Sequence, residues 1–132
     1  MVTGLVGAAS TVVRGESPKY PALKVNAGDP GTTNMLVRFN GDFLSGCRSG
    51  DTKAGIVEGV TVNSKNQLVV DPVYNEIIDY TMHGKVEIWA VDDGVLRDIY
   101  RTRLVRKIPD AIGYYGFWRF PKSISGHMER IG

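Results

Sequence analysis

Apolar and polar side chains alternate in short runs through the middle of the chain, and each run ends on residues that favour turns. A period of two marks strands with one buried face. It predicts strands over residues 35–39, 55–62, 67–70, 75–81, 86–91 and 95–105. Within 55–62, Ile56, Val60 and Val62 share a face with Glu58 between them. Asn40-Gly41 is a strong turn dipeptide, because both residues tolerate positive φ. Asn63-Ser64-Lys65-Asn66 predicts a second turn, and Met82-His83-Gly84 a third that closes on Gly. Asp92-Asp93-Gly94 predicts a tight turn that joins 86–91 and 95–105 into a hairpin, with Gly94 at positive φ. Sustained apolar spacing of three and four residues with caps is missing, so helix is nearly absent from the expectation. Residues 73–78 can form a single turn. Residues 95–105 have a helical alternative, outweighed by their β-branched residues.

The two ends read differently. Residues 1–34 hold Gly4, Gly7, Gly15, Gly28 and Gly31 with Pro18, Pro21 and Pro30, and only short extended pieces at 11–14 and 22–25. They predict an extended N-terminal arm that orders against a partner, or else a loop-rich edge on the body of the protein. Residues 41–50 predict a Gly- and Ser-rich loop. Residues 35–132 form the β-rich domain. It ends in an aromatic tail, where Tyr114-Tyr115-Gly116-Phe117-Trp118-Arg119-Phe120 places five aromatics in seven residues. Such density suits a core or a subunit interface better than base stacking, since Lys is not interleaved. There is no internal repeat.

Charge changes the picture locally. The 132 residues carry a net charge of +2, too small to imply a nucleic-acid partner. Residues 97–107, however, hold Arg97, Arg101, Arg103, Arg106 and Lys107 against Asp98 alone. On the predicted strand, Arg97, Arg101 and Arg103 alternate on one face as a basic stripe for phosphate or an acidic protein surface. The plainer reading is a solvated face with cross-strand acids such as Glu87.

Chemistry-bearing patterns are missing. Cys47 is the single cysteine, which excludes an intrachain disulfide and a Cys-based zinc site and fits a reducing compartment. His83 and His127 do not pair at metal-ligand spacing. Asp71, Asp79, Asp92 and Asp93 are not spaced as a calcium loop. Residues 41–50 lack the Lys-Ser/Thr ending of a phosphate loop. The expectation is therefore a protein that is not an enzyme, with no cofactor and no metal site. The N-terminus lacks a basic signal-peptide region, and no apolar run reaches membrane-spanning length, so a soluble protein made in the cytoplasm is expected.

Two stretches carry a resemblance. Lys53-Ala54-Gly55-Ile56-Val57-Glu58-Gly59 looks like an "AGIV" strand, and Gly84-Lys85-Val86-Glu87-Ile88-Trp89-Ala90 like a following "G-x-V-x-V" strand. In both the chain resembles the cement or decoration proteins of tailed-bacteriophage capsids. The aromatic tail and the basic 97–107 segment depart from that pattern. The resemblance implies an all-β fold, a small antiparallel β-barrel or β-tulip, and trimers bound at junctions of a major capsid protein on the virion surface. Arg97, Arg101, Arg103, Phe117, Trp118 and Phe120 are the expected partner-binding residues. The competing expectation is an OB-like small barrel that binds single-stranded nucleic acid through the arginines and tail aromatics.

Overall fold

The computed structural model describes residues 20–132. The chain is all-β among them, with every strand pair antiparallel. In chain order the strands are β1 (Lys24–Asn26), β2 (Met35–Phe39), β3 (Asp42–Ser45), β4 (Cys47–Asp51), β5 (Ile56–Val60), β6 (Val70–Asp71), β7 (Glu76–Ile77), β8 (Asp79–His83) and β9 (Val86–Val91). After them come one helical turn, α1 (Val95–Asp98), then β10 (Thr102–Lys107), β11 (Tyr114–Arg119), a 3₁₀ segment (Lys122–His127) and β12 (Met128–Arg130). One sheet has the order β10-β11-β3-β2-β9-β12 and another β1-β4-β5-β8, while β6 and β7 form a separate two-stranded hairpin.

The two large sheets face one another across a single core. Val37, Phe39, Leu44, Val86, Ile88, Tyr115 and Phe117 enter it from the six-stranded sheet, and Val57, Tyr80 and Met82 from the four-stranded sheet. Ile88 and Val57 are fully buried. The sheets are open and do not close into a barrel, but they are stitched at two places. The chain passes directly from β3 into β4 through Gly46, at φ +72°, where Val60 N–H donates to the Gly46 carbonyl. Elsewhere Val62 and Tyr114 exchange both backbone hydrogen bonds at 2.8 Å. Close approach explains the small residues of β4: a Cβ on Gly50 would stand 2.9 Å from a Val37 methyl. Residues 41–50 are thus two strands rather than the expected loop.

Several expectations match in place. Strands 35–39 and 86–91 coincide with β2 and β9. Asn40 and Gly41 both take positive φ, 47° and 91°, and close the β2–β3 hairpin. The 63–66 turn forms, held by the Asn63 side-chain carbonyl, which accepts from Lys65 N–H and Gln67 N–H. Residues 75–81 are divided between β7 and β8. In β5 the inward positions are Val57 and Gly59, so Ile56 and Val60 lie on the outward face with exposed Glu58.

Three expectations are corrected. First, 95–105 is not one strand. Gly94 does sit at φ +81° after a tight turn, but it leads into α1, and β10 begins only at Thr102. A β9–β10 hairpin cannot form, because both sides of β9 are occupied, by β2 and β12. The chain must instead cross to the far edge of the sheet. Second, Met82 and His83 are strand residues of β8 rather than a turn, and the short Gly84-Lys85 link joins strands of different sheets. Third, the arm boundary at 34 does not hold: β1 pairs with β4, and Leu23 and Val25 pack against the core. Residues 1–19, with the extended piece at 11–14, lie outside the described residues.

Candidate functional site

The outer face of the six-stranded sheet collects most of the expected site residues, though not as expected. Strand registers set a continuous row across five strands. Arg103 on β10 faces Trp118 on β11, which faces Phe43 on β3, then Arg38 on β2, then Glu87 on β9. Directly opposed residues share a face, so the whole row points away from the core. At about 4.8 Å between strands, it spans about 19 Å. Phe117, one residue from Trp118, points the other way and is buried in the core. It cannot meet a partner, which corrects its expected role.

Guanidinium groups cover the rings of this face. Arg101 and Arg103 lie 4.7 and 4.6 Å from the Trp118 ring centre. Arg38 lies 5.1 Å from Phe43 and 5.7 Å from Trp89. Phe43 makes edge-to-face contacts with Trp89 and with Phe120, at 5.7 and 5.6 Å. Phe120 is half-buried here, where the chain leaves β11. The following 3₁₀ segment buries Ile124. Arg101 also donates to the Leu96 carbonyl, which ties it to α1. Arg97 stands exposed on α1 itself, so the three arginines do not form one stripe along a strand. Arg101 and Arg103 converge on Trp118, and Arg97 does not join them.

Glu87 is the counter-ion of this face. It is 7% exposed, accepts a 2.9 Å hydrogen bond from the Trp89 indole N–H and lies 3.7 Å from Arg38, 3.5 Å from Lys85 and 4.0 Å from Arg130. Burial pushes its carboxyl pKa up. The Trp89 bond and the charges of Arg130, Arg38 and Lys85 outweigh that, so the pKa ends below the usual carboxylate value. The arginines of 97–107 therefore do not use Glu87. Among the described residues Arg101 and Arg103 make no ion pair. Arg106 instead donates to both oxygens of Asp42, at 2.7 and 3.3 Å, on the opposite face, where the Tyr115 hydroxyl also donates to Asp42.

A second surface was not anticipated. The β6–β7 hairpin carries Leu68, Val70, Val73, Tyr74, Ile77 and Ile78, all exposed, with Val73 at 78% and Tyr74 at 72%. Its tip is shaped by polar groups: the Asp71 carboxylate accepts from Val73 N–H at 2.8 Å, and Asn75 takes φ 55°. Nothing in that turn requires large apolar residues at 73 and 74. The hairpin base is anchored by Thr61 N–H to the Ile78 carbonyl and Val69 N–H to the Thr61 carbonyl. Beside it, Ile112 is 95% exposed on the loop before β11. Thr61, Val69, Ile78, Tyr80, Ile108 and Ile112 line an apolar groove between them. The signal in the sequence was failed alternation, since Leu68-Val69-Val70 and Ile77-Ile78 are apolar on both faces of their strands.

Cys47 is a free, partly buried thiol. Burial pushes its thiol up to about 11, and the sulfur donates weakly to the carbonyls of Ser49 and Glu58. At neutral pH it is a thiol, the unreactive form. Among the described residues, no three His, Cys, Asp or Glu side chains come together as metal ligands, and no helix is long and apolar enough to cross a membrane. Comparison with family models, curated proteins and solved structures finds no match.

Proposed function

We propose that this chain is a structural protein of an assembled particle, a cement protein that binds a lattice of major capsid protein on the virion as a homo-oligomer, without catalysis. The observation that carries this reading is the apolar β6–β7 hairpin with Ile112 beside it. Contiguous exposed patches of this kind mark interaction surfaces in folded proteins. A rigidly based hairpin with an apolar tip suits insertion between neighbouring subunits. The two strands carrying the decoration-protein resemblance are β5 and β9, in facing sheets, so that resemblance lends the body of the fold and not the hairpin. Several copies, as in a trimer, would each present one hairpin, and multivalent seating raises avidity without new contacts.

The test is a paired substitution at the tip, Val73→Asp with Tyr74→Asp. Full burial of one such side chain contributes about 1.5–3 kcal/mol, so together they should lower attachment at least a hundredfold. The melting temperature should hold, because both residues are exposed. Sedimentation velocity reads self-association, and co-sedimentation with particles lacking the protein reads attachment. A wild-type chain that neither self-associates nor co-sediments would overturn the reading, as would a tip variant that does both normally.

A further inference from the structure

We propose that the outer face of the six-stranded sheet, centred on Trp118, binds single-stranded nucleic acid by stacking bases on its ring-and-guanidinium row. This is separate from the hairpin and does not rest on the capsid reading. Its geometry meets two demands of single-strand recognition together: π-faces for bases and cations for the backbone. Trp118 and Phe43 are directly opposed on neighbouring strands, about 4.8 Å apart at the backbone, so both rings lie on this outer face, Phe43 against Trp89 and Phe120. Arg101 and Arg103 sit at the Trp118 end, and guanidinium planes stack on bases as aromatic rings do.

The charge balance favours a polyanion. This face holds Arg38, Lys85, Arg101, Arg103 and Arg130 against one carboxylate, Glu87, whose neighbours are Arg38, Lys85 and Arg130. The positive surplus therefore concentrates on Arg101 and Arg103, flanking the ring. Phe120 packs edge-to-face on Phe43 in the middle of the row, so the β10–β11 half, with Trp118, is the accessible part. An acidic protein surface would satisfy the two arginines but would make no use of the half-buried Trp118 ring that they flank.

The experiment uses the full chain and a fluorescent oligothymidylate of about 16 nucleotides, the upper site size of a small β module. Anisotropy reads affinity at several salt concentrations. Tryptophan emission reads stacking, since Trp89 and Trp118 are the only two tryptophans. The expected result is quenching on binding, a preference for single over double strands, and an affinity that falls with salt. Trp118→Leu should weaken binding about tenfold or more, while Trp118→Phe should largely retain it. Arg101→Gln with Arg103→Gln, at positions outside the core, should reduce the magnitude of the salt slope by about 1.4. The tip variant of the hairpin should bind as the wild type does, so the two surfaces fail or hold independently. No saturable binding would overturn the proposal. Polyglutamate binding as tightly as the oligonucleotide, with Trp118→Leu unaffected, would also overturn it and assign the face to an acidic protein.

Discussion

Glu87→Gln removes one negative charge from the most enclosed ionic cluster of the protein and should be clearly destabilising. The carboxylate meets four groups: the Trp89 indole N–H at 2.9 Å, Lys85 at 3.5 Å, Arg38 at 3.7 Å and Arg130 at 4.0 Å. Gln keeps an oxygen for Trp89 and loses only the charge-assisted part of that bond, about 1 kcal/mol. The Lys85 side chain is 71% exposed, so its pairing is screened and adds well under about 1 kcal/mol. Arg38 and Arg130 are 34% and 27% exposed and would lose the counter-ion they partly desolvate against. A cost of about 2–3 kcal/mol results, below the 3–5 of a fully buried pair. In a domain of this size that is a fall of roughly 10 °C in melting temperature. The pH dependence gives a sharper reading. Glu87 titrates lower in the fold than in the unfolded chain, where a Glu sits at about 4.3. Its stabilisation is therefore complete above that value and is lost as pH falls through the folded pKa. Thermal melts of both proteins should differ fully at pH 7 and converge below about pH 4. A difference under about 2 °C at pH 7, or one unchanged at pH 3, would refute the assignment of Glu87 as the counter-ion of this face.

Further outcomes follow from single positions. Gly94→Val forces a β-branched residue to φ +81° at a cost of about 1–2 kcal/mol, so urea denaturation should show a lower midpoint with an unchanged slope, and an unchanged midpoint would mean that the turn relaxes. Tyr80→Phe removes a buried hydroxyl that has no partner among the described residues, so the unfolding free energy from urea denaturation should hold or rise; a loss of more than about 1 kcal/mol would reveal a partner for it.

What the sequence made legible was local. Asn40-Gly41 and Gly94 were readable because positive φ selects for few residue types, and β2 and β9 because one clear face of each is buried. What it hid was set by distant partners. Residues 41–50 look like a loop by composition, yet Gly46 and Gly50 are small because sheet switches to sheet at the first and approaches Val37 at the second. Alternation in 55–62 pointed to Ile56 and Val60, but the inward position beside Val57 is Gly59, left without a side chain because the Tyr80 ring fills that space. The arginines of 97–107 alternate only if 95–105 is a strand. Whether it is depends on β12, thirty residues later, occupying the edge of β9 that a hairpin would need.

The same long-range pairing explains why the aromatic tail could not be assigned from its own residues. In β11 the period of two sends Tyr115 and Phe117 to the core and Trp118 outward, so one dense cluster serves two purposes that composition cannot separate. Arg101 and Arg103 reach Trp118 only because β10 pairs with β11 in the register that sets Arg103 opposite Trp118. A slip of one residue would turn both arginines toward the core face, where each would lose its ring and its solvent together. The core alternation of Leu104, Phe117 and Leu44 forbids that slip. The packing that stabilises the fold therefore also fixes the outward row.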